Sequence, residues 1–577
     1  MSRALPLISN SVRPLPQTYP KHRTPRTVNA LALAACLPAF ALGSSLAFAD
    51  PIPGTLDDAP APAGFASGTG KITNLAIGPT GSSTVLATVT QPDGKILLAG
   101  YCTAQANGNP AMCVQRLTAN GGLDSTFVGP AGAASNGAGG FLLPQLAQDD
   151  RANAIAVQAD GKIVLAGECW DGAVGYQFCV ARLNPNGSFD NSFVGPNGAG
   201  NGRAILTALQ SARARNVLLQ ADGKLVVSGD CRESLTAGTY YQACIARLNN
   251  DGSLDTSFNG PSGSSNGLLR FAVGPYDFDA RGLVQQSDGK LIITGGCYAN
   301  ADPNAKQSFC AVRLTASGSF DTGFSNHAAG IGDGRVAHSI SAIEANVSAA
   351  ALQPDGRLLI GGRSVISNSA SYFAVVRLNP DGTLDSRFEG PNGGGAGVGV
   401  FQMGQNYDQI TAIAVQPDGR IVLAGLCTLL GDANFCIARL AADGALDPAF
   451  DGPTGYGNGR VNLEMSNIGT KSDAAWALAL QPDGKILVAG QCEGASGSTM
   501  ACIARLNGGP FGARVCSMDI DGDGRVGATT DALIITRIAL GLSGPGVLQG
   551  ITLTGPRNSW ITIRDYLVTQ CGLSVRP

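Results

Sequence analysis

Three observations predict a mainly all-β chain, built as seven four-stranded antiparallel blades closed into a ring. A turn of the form Gln-x-Asp-Gly-Lys/Arg recurs seven times, at Gln91, Gln158, Gln220, Gln286, Gln353, Gln416 and Gln481. Each turn precedes an apolar run such as ILLAG or IVLAG, and a second run ends in Arg-Leu at Arg116, Arg182, Arg247, Arg313, Arg377, Arg439 and Arg505. Glycine is abundant, at 79 of 577 residues, while only 14% of residues are charged. That is the composition of short strands and turns rather than of long amphipathic helices.

The first element, residues 1–49, reads as a secretory signal. It holds Arg3, Arg13, Lys21, Arg23 and Arg26 with no acid, then an apolar run from Val28 to Leu42, then Ala47-Phe48-Ala49 as a cleavage site. Leu33-Ala34-Ala35-Cys36 resembles a lipoprotein box, but the apolar run continues past Cys36, which fits cleavage after Ala49 better. Either cleavage predicts an exported protein: extracellular, cell-surface or periplasmic. Cleavage after Ala49 leaves 34 basic residues against 42 acidic ones, and this net −8 disfavours nucleic acid and anionic membranes as partners. No transmembrane segment is expected in the mature chain.

Residues 50–66 read as a linker and 67–510 as the repeat domain. The Glns of successive turns are 62–67 residues apart. Asp-Gly between apolar runs is a strong hairpin signal, because glycine accepts the positive φ of a tight turn. Each unit thus reads as two hairpin-linked strands, a third ending in Arg-Leu, and a fourth after a glycine-rich stretch. Four strands per repeat make a propeller blade. Six repeats add a Leu/Phe-Asp-x-x-Phe signature, with Asp124, Asp190, Asp255, Asp321, Asp385 and Asp447, which the seventh lacks after Arg505. Instead, residues 68–95 resemble 457–485, so an N-terminal strand at 70–78 is expected to complete the last blade and remove its open edge.

QPDGKILVAG followed by ARLNPDGSLD-type segments resembles the delta-60 repeat, a bacterial β-propeller repeat. The resemblance implies a seven-bladed β-propeller on a secreted or surface protein, and it implies no particular reaction.

Twelve cysteines fall in pairs at one place in the repeat: Cys102 with Cys113, Cys169 with Cys179, Cys231 with Cys244, Cys297 with Cys310, Cys427 with Cys436, and Cys492 with Cys502. The fifth repeat lacks both members, having Ser364 and Ala374 instead. Joint presence and joint loss argue for disulfides within each blade, which export permits. Zinc is the rival reading, but it needs groups of four ligands, and the mature chain offers only His327 and His338 beside its cysteines.

Residues 511–577 form a different module. Asp519-x-Asp521-x-Asp523-Gly524 opens a calcium loop, with the Arg525 carbonyl and Asp531 completing the ligand set for one Ca²⁺. Asp531 sits one position late, at thirteen, and a helix is expected to begin at Thr530 or Asp531. DIDGDGRV followed by TTDALIITRIALGL resembles a dockerin-type repeat. That resemblance implies an EF-hand/dockerin-like module of helices, calcium binding and docking on a cohesin-like partner in polysaccharide-degrading assemblies. The second half, ITIRDYLV with Asp565, lacks a second calcium loop. Cys516 and Cys571 bracket the module and could clasp its ends.

The repeated arginines and aspartates read as structural, since catalytic residues occur once per fold and these occur in every blade. His327 and His338 have no nucleophile motif beside them, and no Walker or dinucleotide-binding loop is present. A ligand is expected on the face that carries the second turns and the crossovers, where the repeats vary. Its candidates are Asp149, Asp150 and Arg151; Tyr276, Asp277, Asp279 and Arg281; and Tyr407 and Asp408. Aromatics beside carboxylates suit a protein or glycan ligand. The expected function is a non-catalytic binding or scaffold protein. The alternatives are a polysaccharide-active enzyme or its accessory, and a purely structural adhesion protein.

Overall fold

The computed structural model describes residues 53–569, apart from the short segments 59–63, 78–81, 104–107, 132, 134, 136–138, 145–148, 171, 173–174, 197–199, 208, 233–238, 261–265, 300–305, 326–333, 342, 368, 392–395, 453–458, 467–471, 495–496, 510–519, 522–528, 541 and 554–558. Asp519, Asp523, Arg525, Cys516, Cys571 and His327 thus lie outside the described residues, as does the Asp565 side chain.

Seven antiparallel sheets of four strands follow one another along the chain. The first strands of blades 1 to 7 are Ser83–Thr90, Asp150–Val157, Gln210–Leu219, Asp279–Gln285, Glu344–Leu352, Asp408–Val415 and Ala474–Leu480. Neighbouring first strands pack together around the whole ring, including blade 7 against blade 1. Each runs into its Gln-x-Asp-Gly turn, whose glycine takes a positive φ. The hydrophobic core is divided into seven, each part sandwiched between two adjacent blades. Between blades 2 and 3, for example, Val164, Phe178, Phe193, Leu225 and Val227 are buried together.

The ring closes with strands from both ends of the repeat domain. Lys71–Leu75 pairs antiparallel with Thr499–Leu506 and is the outer strand of blade 7. The segment read as a linker joins in as well. Leu56 bridges Leu506 as Leu123 bridges Leu117 in blade 1. Asp57 N–H donates to Arg505 O at 2.9 Å, as Asp124 N–H donates to Arg116 O at 3.1 Å. Leu56, Asp57 and Phe65 therefore take the places of the missing signature, with Phe65 several residues further along than in the other blades.

This signature explains the repeated charges. In every blade the strand-three arginine bonds the signature aspartate through Nε at 2.6–3.0 Å. The Lys or Arg of the first turn reaches the same carboxylate at 2.7–3.4 Å. The guanidinium lies 4.3–4.8 Å from the centroid of the signature phenylalanine ring. Its far nitrogen donates to a backbone carbonyl of the next blade, from Arg116 on Pro185 round to Arg505 on Ala119. One side chain thus holds its own blade and fastens it to its neighbour.

The six cysteine pairs expected within the repeats all lie at disulfide distance, with Cα atoms 5.8–5.9 Å apart: Cys102 with Cys113, Cys169 with Cys179, Cys231 with Cys244, Cys297 with Cys310, Cys427 with Cys436, and Cys492 with Cys502. They link the second and third strands diagonally: Cys169 faces Gln177 in register, while Cys179 faces Gly167. The third-strand members Cys113, Cys244, Cys310, Cys436 and Cys502 repeat this placement, each facing the equivalent glycine, from Gly100 to Gly490. All twelve cysteines are buried in the cores between blades, and no cluster of three or more His, Cys, Asp or Glu placed to hold a metal occurs among the described residues.

Beyond the ring, helix α1 (Asp531–Ala539) begins where the sequence predicts, and helix α2 (Trp560–Thr569) follows a short 3₁₀ turn. Ile520, Ile534, Val547, Trp560, Ile563 and Leu567 form the buried core of this module.

Candidate ligand site in the axial cavity

Every first strand carries a β-bulge, at one register position, five residues before the glutamine of its turn. The cause lies on the neighbouring strand. The glycine that precedes each Gly-x-Cys cysteine, Gly167 in blade 2, lies against a carbonyl of the first strand. A Cβ there would sit 1.7 Å from Arg151 O, and the equivalents at Gly100, Gly229, Gly295, Gly362, Gly425 and Gly490 would sit 1.8–2.3 Å from theirs. Only glycine permits this approach. The bulge re-aims the extra residue.

The seven bulge residues are Leu86, Asn153, Arg215, Arg281, Ser348, Thr411 and Trp476, and all line one cavity of 500 Å³ on the ring axis. Each is half-buried, between fully buried neighbours of the preceding register positions and the cavity. Asn216, Asp279, Asn346, Arg363 and Gln409 line it too. The framework residues are the same in blade after blade; these seven differ in almost every one.

Part of the lining is spent on joining blades. Asn153 Nδ2 donates to Ala214 O at 2.8 Å, and Asn216 Nδ2 to Arg281 O at 3.1 Å. Thr411 Oγ1 donates to Ala475 O at 2.8 Å, and Gln409 Nε2 to Ser348 Oγ at 2.9 Å. Arg215 pairs with the buried Asp230 at 3.1 Å, and Arg281 with Asp279 at 2.8 Å. Burial pushes the Asp230 carboxyl above its usual range, against the pull of Arg215. It pushes Glu168 upward in the same way, against Arg215, Arg213 and Arg151.

The rim above the cavity pairs arginine with tyrosine, three times across a blade boundary and once, at Arg232 and Tyr241, within blade 3. Arg151 lies 4.9 Å from the Tyr101 ring centroid, Arg213 5.1 Å from Tyr176, Arg232 4.1 Å from Tyr241 and Arg363 4.9 Å from Tyr407.

Of the nine face residues expected from the sequence, Asp279 and Arg281 line the cavity. Asp149 accepts bonds from Arg151 at 3.0 and 3.1 Å and from Tyr176 Oη at 3.1 Å. Tyr276 lies edge-on between Tyr240 and Tyr298. Tyr407 is 39% exposed at the rim. Three of the carboxylates serve the backbone or the interior. Asp150 and Asp408 are 1% and 0% exposed. Asp408 accepts from the N–H groups of Met403 at 2.7 Å and Gly404 at 3.0 Å, and Asp277 accepts from Tyr241 N–H at 2.6 Å. Their crossovers need these acceptors to end one blade and begin the next. Sequence reasoning missed Asn153, Arg215, Ser348, Thr411 and Trp476, which sit inside strands; the signal for them was the glycine repeated on the facing strand.

His338 lies between blades 4 and 5, where Nε2 donates to Gly382 O at 3.1 Å; burial lowers its pKa, with that bond opposing. In the C-terminal module, Asp531 accepts from the N–H groups of Ile520 at 2.5 Å and Asp521 at 3.1 Å. Both aspartates are buried, at 1% and 0% exposure. They are the two described members of the expected calcium set, and the fold brings them together.

Fold and cavity together define a seven-bladed β-propeller with a polar axial site. The family model described as "Domain of unknown function (DUF5122) beta-propeller" matches residues 91–127, 158–193, 220–258, 286–324, 353–388, 416–450 and 481–508, one segment in each blade. No curated protein matches the chain. Among solved structures, a protein of unknown function from Dyadobacter fermentans is 10% identical over 76% of this chain and 99% of its own, with a TM-score of 0.36. A polysaccharide lyase acting on ulvan is 11% identical over 76% and 96%, at 0.39. A gluconolactonase from Xanthomonas campestris is 12% identical over 60% and 85%, at 0.27. At such identities and scores none of them informs the chemistry of this chain.

Proposed function

We propose that the chain is an exported, non-catalytic binding protein that receives its ligand in the axial cavity. One observation carries this reading: a framework repeated in every blade holds seven side chains of six kinds on a single cavity. Sevenfold repetition supplies stability; departure from it at one register position supplies recognition. Among the described lining residues there is no histidine or cysteine, and the one carboxylate, Asp279, is paired with Arg281. Such a lining supports binding rather than bond-breaking. Six cysteine pairs at disulfide distance support an oxidising compartment, and no helix among the described residues is long and apolar enough to cross a membrane.

The test is an array of soluble glycans and peptides probed with the wild type and with Ser348→Trp, which fills the cavity from one bulge. Binding by the wild type that disappears in Ser348→Trp is the expected result. Binding that survives the substitution would place the ligand elsewhere.

A second reading concerns the C-terminal module and rests on the contact between Asp521 and Asp531. Asp519, Asp521, Asp523, the Arg525 carbonyl and Asp531 would hold one Ca²⁺. The ion would neutralise converging carboxylates and stabilise the start of α1. Docking on a cohesin-like partner, and with it a place beside polysaccharide-degrading enzymes, would be this module's task. Calcium titration of the full chain should give one site, lost in Asp521→Ala. A stoichiometry of two, or no binding at millimolar calcium, would contradict this assignment.

A further inference from the structure

The cavity lining is divided by chemistry. Blades 2 to 5 contribute Asn153, Arg215, Asn216, Arg281, Asn346 and Arg363; blades 6, 7 and 1 contribute Gln409, Thr411, Ile413, Trp476 and Leu86. One side holds all three guanidinium groups, the other the aromatic ring and no charge.

The cations are not equivalent. Arg215 and Arg281 are each matched by a carboxylate, Asp230 and Asp279. Arg363 has no ion pair among the described residues. Its Nε donates to Asn346 Oδ1 at 2.7 Å, and its guanidinium lies 4.9 Å from the Tyr407 ring centroid. The terminal nitrogens of Arg363 are left for a ligand. One positive charge in the cavity is therefore unmatched.

The neutral groups have a definite polarity as well. The amide nitrogens of Asn153 and Asn216 are used on carbonyls of the neighbouring blade, so each side chain presents Oδ1, an acceptor. Ser348 Oγ accepts from Gln409, which leaves its O–H to donate. Trp476 Nε1 is buried without a hydrogen-bond partner among the described residues. Acceptors in a cavity favour a ligand with hydroxyl donors and disfavour a bare anion. A single unmatched cation favours one carboxylate over a phosphate, which draws several. An indole face opposite polar groups suits the apolar face of a sugar ring.

We infer that the ligand is a sugar acid: a uronic acid, free or at the end of a short saccharide, with its carboxylate on Arg363, its hydroxyls on the asparagine oxygens and Ser348, and its ring against Trp476. This inference rests on the cavity being the ligand site. The volume of 500 Å³ is adequate, since small-molecule pockets run from about 300 to 1,000 Å³.

The experiment is calorimetric titration of the full chain with galacturonate, glucuronate and digalacturonate, beside their neutral parents galactose and glucose. Tryptophan fluorescence of the wild type and of Trp476→Phe is followed in parallel. At least one acid should bind at a ratio of one. Its fluorescence change should vanish in Trp476→Phe. Loss of a charge-assisted bond should weaken it about tenfold or more in Arg363→Gln, with partial recovery in Arg363→Lys. Added salt should weaken the acid and leave the parents unaffected. A neutral parent that binds as tightly as its acid overturns the sugar-acid assignment. So does an affinity unchanged in Arg363→Gln but abolished in Ser348→Trp, which leaves the cavity as the ligand site. Acid binding that persists in Ser348→Trp overturns both readings. No binding of any acid at millimolar concentration overturns the sugar-acid assignment alone, because the array with Ser348→Trp still tests the cavity.

Discussion

Each signature aspartate sits between a strand-three arginine and the basic residue of the first turn, and its ionisation is tied to the fold. For Asp190, burial opposes the charge, but bonds from Ser192 and the charges of Arg182 and Lys162 outweigh it and bring the pKa to about 2. Asp255 is likewise brought to about 2, through Ser257 and Arg247, and Asp124 is held well below the carboxylate range. An unfolded aspartate titrates near about 4. With the folded value depressed, the stabilisation is complete above the unfolded pKa and is lost as pH falls through the folded one. Thermal unfolding should therefore be insensitive to these groups from neutral pH to about 4 and fall steeply between about 4 and 2. Asp190→Asn should be less stable than wild type at neutral pH and converge towards it in that acid window. A constant difference between the two across the window would show that the carboxylate charge is not what matters. The same residues show what was legible. Gln-x-Asp-Gly turns and Arg-Leu strand ends are local and repeated, so periodicity reveals them. The bulge residues are single and dissimilar, and their cause is a glycine on the facing strand, as Gly167 opposes Arg151 O. A position set across strands leaves no local pattern at the residue it displays.

At the level of the element, blade 7 is assembled from two distant stretches of chain. Arg505 bonds Asp57 across 448 residues of sequence, and Lys485 reaches the same carboxylate at 2.7 Å. The closing strand Lys71–Leu75 was readable because residues 68–95 resemble 457–485. The Leu56-Asp57…Phe65 signature was not, because Phe65 stands eight residues after Asp57 instead of three. Proline-rich residues between them gave the stretch the look of a linker. Asp57→Ala leaves two cations beside an empty place, one of them Arg505 at 1% exposure. Breaking a buried pair costs about 3–5 kcal/mol, and Asp57→Ala should cost as much as Asp190→Ala inside a continuous blade. Denaturation midpoints of the two variants measure this. A neutral Asp57→Ala beside a costly Asp190→Ala would mean that the N-terminal segment does not hold the ring shut. Loss of the closing strand as well should bare the edge of Thr499–Leu506 and promote association through it.

Across the whole molecule, repetition and variation are separated in space. The Arg–Asp–Lys groups and their phenylalanines recur in every blade, and each arginine ties its blade to the next around a closed ring. The ring can vary its side chains at the bulges, because the framework draws on only some of the seven: the blade-joining bonds of Asn153, Ser348 and Thr411 and the pairing of Arg215 with Asp230. An acidic chain thus carries on its axis a cavity lined by three guanidinium groups and one carboxylate. The variable face was readable from the sequence as a candidate, whereas the bulge residues that line the cavity were not. The crossover carboxylates that drew attention, such as Asp408, are consumed by backbone N–H groups at the entry to a strand. The most direct measurement is a crystal structure of the chain with the tightest-binding compound from the array. Ligand density on the ring axis, within hydrogen-bonding distance of Arg363 and Asn153 and in contact with Trp476, is the predicted result. Density on the outer rim around Tyr276, with the axial cavity holding only water, would contradict it.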